Sequence, residues 1–169
     1  LHVALARANG AGRIIATDVA PYRLEAARRV GADHVFSAVE YTPEKFREVN
    51  QGYLADIVIV CTGASNAYSQ AIESVEPGGT LLAFAPTAPD TIIPLSVNDF
   101  FWRRETTITT SYAGSPSDHE IVLELLRTGI LSLKQLITHR LPLSETGLGF
   151  KLVDEATSSI KVIIEPWKD

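Results

Sequence analysis

Residues 13–36 read RIIATDVAPYRLEAARRVGADHVF, and their pattern decides the fold. Arg13 to Thr17 is a short, mostly apolar run that stops at Asp18, as a buried strand does on reaching the sheet edge. Pro21 suits the first turn of a helix, and Leu24, Ala27 and Val30 fall on one face of it before Gly31 ends it. His34-Val35-Phe36 is then a second short strand. Working outward, Leu1 to Asn9 carries apolar residues at helical spacing and stops at Gly10. Thr42, followed by Pro43 and Glu44, caps a helix through Val49 that Gly52 terminates. Asp56 to Cys61 is a near-continuous apolar strand, the composition expected when both faces are covered. Ser65 opens a helix to Val75, Pro77-Gly78-Gly79 turns the chain, and Thr80 to Ala85 forms another strand.

Helix and strand therefore alternate through residue 85, which implies an α/β fold with a doubly wound parallel sheet. Such a unit starts on a strand, whereas this sequence starts on a helix. The expectation is a Rossmann-like sheet without its first strand or the turn that follows it. Beyond Pro86 the rhythm changes. Ala88 to Asp90 reads as a loop, Thr91 to Leu95 as a short strand, and Asn98 to Arg103 as one or two helical turns. Thr106 to Tyr112 is β-rich and ends at Gly114. Ser115-Pro116 begins an amphipathic helix with Ile121, Leu125 and Leu126 on one side. Two strands, Ile137–Leu141 and Ile160–Ile164, flank a helix from Ser144 to Glu155. The expected division is a partial dinucleotide-binding domain over 1–112 and a separate C-terminal segment over 113–169.

Composition narrows the function. The 169 residues are 46% hydrophobic and 21% charged, with a net charge of −5. That balance gives no basic footprint for nucleic acid or an anionic membrane surface. No apolar run approaches the ~20 residues of a membrane-spanning helix, and the start does not read as a signal peptide. The single Cys61 excludes an internal disulfide framework and suits a reducing, cytoplasmic setting. There is no methionine, and Leu1-His2-Val3 opens in mid-pattern, so an upstream segment is expected.

Asp18 is the leading site residue. A carboxylate ending the second strand of a dinucleotide fold accepts bonds from both adenosine ribose hydroxyls and repels the extra phosphate of NADP, so it favours NAD. A helix N-cap is the plainer role for the same residue. The Gly10-Ala11-Gly12 run follows the first helix, so it terminates that helix and is not a phosphate loop. Without such a loop at a helix N-terminus, the isolated chain is expected to bind NAD poorly. Cys61-Thr62-Gly63 ends a strand at the ligand-binding edge, where the expectation is backbone contact with a cofactor, and Cys61 itself reads as a small core residue. His2, His34, His119 and His139 show no metal-ligand spacing and read as surface or cap residues, so no metal site and no catalytic residue are assigned. The Arg28-Arg29 and Arg103-Arg104 pairs read as solvated faces.

The stretches Arg13–Asp18, Arg23–Ala27 and Val30–Asp33 together resemble the medium-chain dehydrogenases, above all the zinc-dependent alcohol, sorbitol and threonine dehydrogenase group. The likeness continues through Asp56–Gly63, Pro77–Leu81, Thr109–Gly114 and Ser159–Pro166. It implies that Asp18 and Arg23 hold the adenosine ribose and that Cys61, Thr62 and Gly63 line the cofactor groove. It also implies that Phe84, Ala85 and Pro86 pass the nicotinamide, that Tyr112 offers backbone bonds to the carboxamide, and that Lys161 approaches the pyrophosphate. Ala85 stands where the family commonly has Gly. The resemblance further implies NAD as cofactor, zinc only in a full-length parent, a small alcohol or polyol substrate, and a homo-oligomer. Catalytic residues would lie in an N-terminal domain outside this chain, leaving the isolated chain inactive. Residues after Tyr112 would pack on that domain, and Leu141, Leu143, Ile163 and Ile164 would leave an apolar patch without it. Two other readings stand beside this one: an inert truncated nucleotide-binding module, and a methyltransferase using S-adenosylmethionine.

Overall fold

A computed structural model describes residues 1–168. The chain divides into two compact units, one formed by residues 1–39 together with those from Pro116 onward, the other by Glu40–Ser115. In the first unit, helix α1 (His2–Ala8) leads to β1 (Ile15–Asp18), α2 (Pro21–Arg29) and β2 (His34–Ser37). The second unit contains α3 (Pro43–Val49), β3 (Ala55–Val60), α4 (Ser65–Ser74), β4 (Val75–Ala83), a π-helical segment (Asn98–Trp102) and β5 (Thr107–Thr110). The chain returns to the first unit with α5 (Pro116–Arg127), β6 (Ile137–Pro142), α6 (Thr146–Glu155) and β7 (Lys161–Glu165).

Every strand pairing is parallel, and the described strands form three sheets: β1-β2, β3-β4-β5 and β6-β7. The expected alternation of helices with parallel strands is present. β1 and β3 each keep one edge without a strand partner among the described residues.

The core of the second unit is Val60, Ala71 and Leu81, packed by Val58, Ala67, Tyr68 and Ile72. On α4, residues 67, 68, 71 and 72 share one helical face, which lies on the strand residues pointing toward it. Opposite that face, Ile57 is 66% exposed. The strand expected to be covered on both faces is covered within its unit on one, because α4 is the helix packed on it. Arg104 closes the end of α4, donating to the carbonyls of Ile72 (3.5 Å) and Val75. There it satisfies acceptors that have no partner inside a helix.

The turn expected at Pro77-Gly78-Gly79 is a bulge inside β4. Ala55 pairs with Val75 and Ile57 with Thr80, so four residues of β4 stand opposite one of β3. Gly78 takes φ +77°, and a Cβ on Gly79 would lie 2.9 Å from the carbonyl oxygen of Asp56. Thr91 to Leu95, expected as a strand, joins no ladder. Its side chains do alternate, with Ile93 and Leu95 half-buried, but Pro94 has no N–H to donate. Helix α5 forms where expected, but it has no buried residue, and Ile121 and Leu126 are exposed. Of the anticipated apolar patch, Leu143 is exposed while Leu141, Ile163 and Ile164 are half-buried. Gly149 on α6 allows this, since a Cβ there would meet Ile164 at 3.2 Å and Leu141 at 3.6 Å.

In the first unit, Asp33 accepts from the backbone N–H of Ile14 (2.7 Å) and from Arg7 (2.6 Å), joining the end of α2 to the start of β1. The Ile14 N–H, and then Arg7, hold its carboxyl below the usual carboxylate range despite some desolvation. A lowered folded-state pKa adds stability that is present above the unfolded value and lost as pH falls through the folded one. Asp33→Asn is therefore expected to be less stable than the parent at neutral pH, by about 1 kcal/mol at most because the pair is open to water. The gap should close on acidification below the ordinary carboxylate pKa. Urea unfolding at pH 7 and pH 3 tests this, and a gap of equal size at both would refute it.

Candidate functional site

Parallel strands carry their C-terminal ends to one edge. In the second unit Val60, Ala83 and Thr110 stand side by side in register, so the segments after them leave from the same edge. These segments hold Cys61, Thr62 and Gly63 after β3, Phe84, Ala85 and Pro86 after β4, and Tyr112 after β5. The first two are locked together by backbone. The N–H groups of Phe84 (3.2 Å) and Ala85 (3.0 Å) both donate to the carbonyl of Val60. The Tyr68 hydroxyl donates to the Ala85 carbonyl (2.8 Å), and a Cβ on Gly63 would lie 2.4 Å from the carbonyl oxygen of Pro86. Only glycine fits that approach. Thr62 accepts from the N–H of Ala64 (3.4 Å), and Thr110 donates to the Ala83 carbonyl (2.9 Å).

Cys61 is exposed, not the core residue expected from sequence, because it lies one residue past the last buried position of β3. Desolvation still pushes its thiol above the ordinary value, which keeps it protonated at neutral pH and unsuited to a nucleophile. Phe84 is partly exposed and Tyr112 is 98% exposed.

The other candidates lie in the first unit. Asp18 ends β1, and its Oδ1 accepts from the N–H of Ala20 (2.9 Å). The N-cap of α2 is Ala20, which has no side-chain cap bond, so Asp18 orders the turn before the helix without capping it. Its Oδ2 has the approach of Arg23 at 3.8 Å. A carboxylate with one oxygen tied to backbone and the other beside a cation is held in orientation yet able to accept from a ligand. Arg23 is fixed in turn, donating through Nε to the Tyr22 hydroxyl (2.9 Å). That hydroxyl is bonded to the Ala156 carbonyl and lies 3.2 Å from that of Ser159. Lys161, at the start of β7, is exposed two residues further on. Arg23 and Ser159 both line a cleft of about 220 Å³ with Ala26, Ala27, Leu136 and Ile160.

The structure thus brings Asp18 and Arg23 together beside the turn that leads to Lys161, and separately gathers seven residues at the edge of the β3-β4-β5 sheet. Sequence reasoning missed Tyr22, Tyr68 and the reason for Gly63. A glycine directly after a strand was a signal for the last, but nothing local marks either tyrosine. Of the arginines read as solvated, Arg104 is instead the cap of α4. His2 is half-buried, and its burial lowers its pKa. Among the described residues no three of His, Cys, Asp and Glu are grouped to hold a metal ion, so the residues present do not form a zinc centre. No helix among them is long and apolar enough to cross a membrane.

Parallel strands joined by helices, with polar and glycine positions at their carboxyl edge, define a Rossmann-type α/β protein. The chain belongs to the zinc-binding dehydrogenase family, whose family model matches residues 1–128. It is 28% identical over 167 residues to the erythritol/L-threitol dehydrogenase of Mycolicibacterium smegmatis, covering 97% of this chain and 45% of that protein. It is 29% identical over 165 residues to the L-threonine 3-dehydrogenase of Bacillus licheniformis, covering 97% and 47%. Among solved structures, an alcohol dehydrogenase from Thermotoga maritima superposes with a TM-score of 0.84 at 27% identity, covering 96% of this chain and 45% of that one. The chain spans about half the length of the curated relatives it matches. Family and neighbours are dehydrogenases, so the methyltransferase reading is not supported.

Proposed function

We propose that this chain is the NAD-binding part of an alcohol or polyol dehydrogenase. The observation that carries the reading is the Asp18 carboxylate, oriented by the Ala20 N–H and flanked by Arg23 at the carboxyl end of a parallel strand. That donor set fits a ribose: Oδ2 accepts from vicinal hydroxyls, while a second negative group there would meet repulsion. Gly63 lets the segment after β3 close against the backbone of Pro86 and Thr87, which shapes the edge assigned to the nicotinamide ring. Phe84, Cys61, Thr62 and Tyr112 border it, and Lys161 is assigned to the pyrophosphate.

Bound NAD would supply the hydride acceptor; the residues here bind and orient it and keep water from its face. Zinc-assisted chemistry is assigned to the whole protein, and no step through zinc is derived from this chain. Residues 1–112 are assigned to dinucleotide binding and 113–169 to packing against a catalytic portion. The exposed apolar residues Leu143, Phe150 and Val153 support that role and self-association. A cytoplasmic setting and the absence of turnover by the isolated chain complete the reading.

The test is an NMR titration of the chain with NAD and NADP. Weak, saturable shifts centred on residues 18–23 and 61–63, larger for NAD, are expected. Shifts elsewhere, or equal shifts with both nucleotides, would overturn the reading, and the inert-module alternative would then stand.

A further inference from the structure

Arg23 has a place in the first unit that its sequence position does not explain. A side chain this long on a helix surface ordinarily samples many rotamers. Here Nε donates to the Tyr22 hydroxyl at 2.9 Å, the guanidinium carbon lies 5.6 Å from the Tyr22 ring centroid, and Nη1 is 3.8 Å from Asp18 Oδ2. The Tyr22 hydroxyl has one proton, which goes to the carbonyl of Ala156, leaving its lone pairs for Arg23. Its acceptor is itself well placed. Ala156 follows α6 in a left-handed conformation (φ 48°), and the hydroxyl of Ser159 donates to the Leu152 carbonyl at 2.6 Å. The turn from α6 to β7 is thus pinned to the helix end, and Tyr22 carries that rigidity to Arg23. Donor and acceptor roles in such a chain polarise one another, so loss of the hydroxyl weakens more than one bond.

We propose that Tyr22 is a positioning residue that sets the cofactor preference of the Asp18–Arg23 pair. An arginine free to move beside a ribose can swing onto a 2′-phosphate and make the paired bonds that suit its planar fork. One anchored through Nε, and drawn toward a carboxylate, cannot bring that face round. Tyr22 therefore keeps the cation as the companion of Asp18 and closes the route by which the same two residues would accept a 2′-phosphate. This rests on the ribose-site reading above.

The test compares adenosine 5′-monophosphate with adenosine 2′,5′-bisphosphate, which share the adenosine end and differ at the 2′ position. Their dissociation constants are measured by NMR titration for the parent chain, Tyr22→Phe, Arg23→Gln and the double variant. Tyr22→Phe should reduce the parent's preference for the monophosphate by about 3- to 10-fold, mainly through tighter bisphosphate binding. In the Arg23→Gln background the same change should leave the ratio unaltered. In the free chain, the Arg23 Nε–H resonance should shift and exchange faster once the hydroxyl is gone. Loss of fold alone would weaken both nucleotides together and leave the ratio unmoved, which would overturn the proposal. So would a ratio change that persists without Arg23, or an Nε–H signal indifferent to Tyr22→Phe. If neither nucleotide binds the parent chain, the ribose-site reading falls and the selectivity claim falls with it. If both bind and only the ratio fails to respond, Tyr22 alone is misassigned.

Discussion

Gly63→Ala is expected to lower the thermal midpoint by about 3–10 °C and to disorder the edge where the β3 and β4 segments meet. The added methyl would stand 2.4 Å from the carbonyl oxygen of Pro86 and 3.3 Å from the Cα of Thr87, both backbone atoms. Backbone cannot swing aside as a flexible side chain does. Pro86 is also held from behind: Phe84 and Ala85 donate to Val60, and Tyr68 grips the Ala85 carbonyl. Relief therefore means breaking those bonds or splaying the β3 segment. Overpacking of this kind costs about 1–3 kcal/mol, and each kcal/mol moves the midpoint of a chain this size by about 2–4 °C. Gly12→Ala is the control, because nothing lies within 4 Å of a Cβ there and its φ is ordinary. Thermal unfolding of both variants decides the matter. If Gly63→Ala melts with the parent, the two segments are not in close contact at this edge.

What the sequence made legible follows the range of the forces involved. The helix Pro21–Arg29 and the strand Ile15–Asp18 were readable because a proline, a glycine and an apolar stripe all act within a few residues. The three-way split of the strands was not, since periodicity marks a strand but not its neighbour. Thr91–Leu95 alternates as a strand should, yet has no ladder. Its Ile93 and Leu95 instead line an apolar cavity of about 180 Å³ with Tyr68, Ile72, Leu81 and Ile108. Helix α5 has an apolar stripe that nothing in its unit buries, because amphipathic spacing records which face needs cover and not what provides it. The placement of Asp18 at a strand end was legible because an acidic residue closes the apolar run before it. Tyr22 was not, because its hydroxyl partners lie 134 and 137 residues away in sequence.

Asp18 also carries the second large effect. Asp18→Ala should weaken NAD binding by about 10- to 150-fold, the equivalent of one lost hydrogen-bonding charge at 1.5–3 kcal/mol. NADP should lose far less, because the carboxylate that opposes its phosphate goes with the same substitution. Asp18→Asn separates the two contributions. An amide oxygen can still take the Ala20 N–H and hold the turn, so that variant should keep the parent's stability while its preference for NAD collapses. The alanine variant loses the turn bond as well and should melt somewhat lower. Titration of both variants with both nucleotides is read beside their unfolding curves. If Asp18→Asn retains the full preference, charge at the strand end does not select the cofactor, and Asp18 serves the turn alone. If preference collapses in both variants but stability falls only with alanine, one carboxylate performs two tasks, with Oδ1 ordering the backbone and Oδ2 reading the ribose.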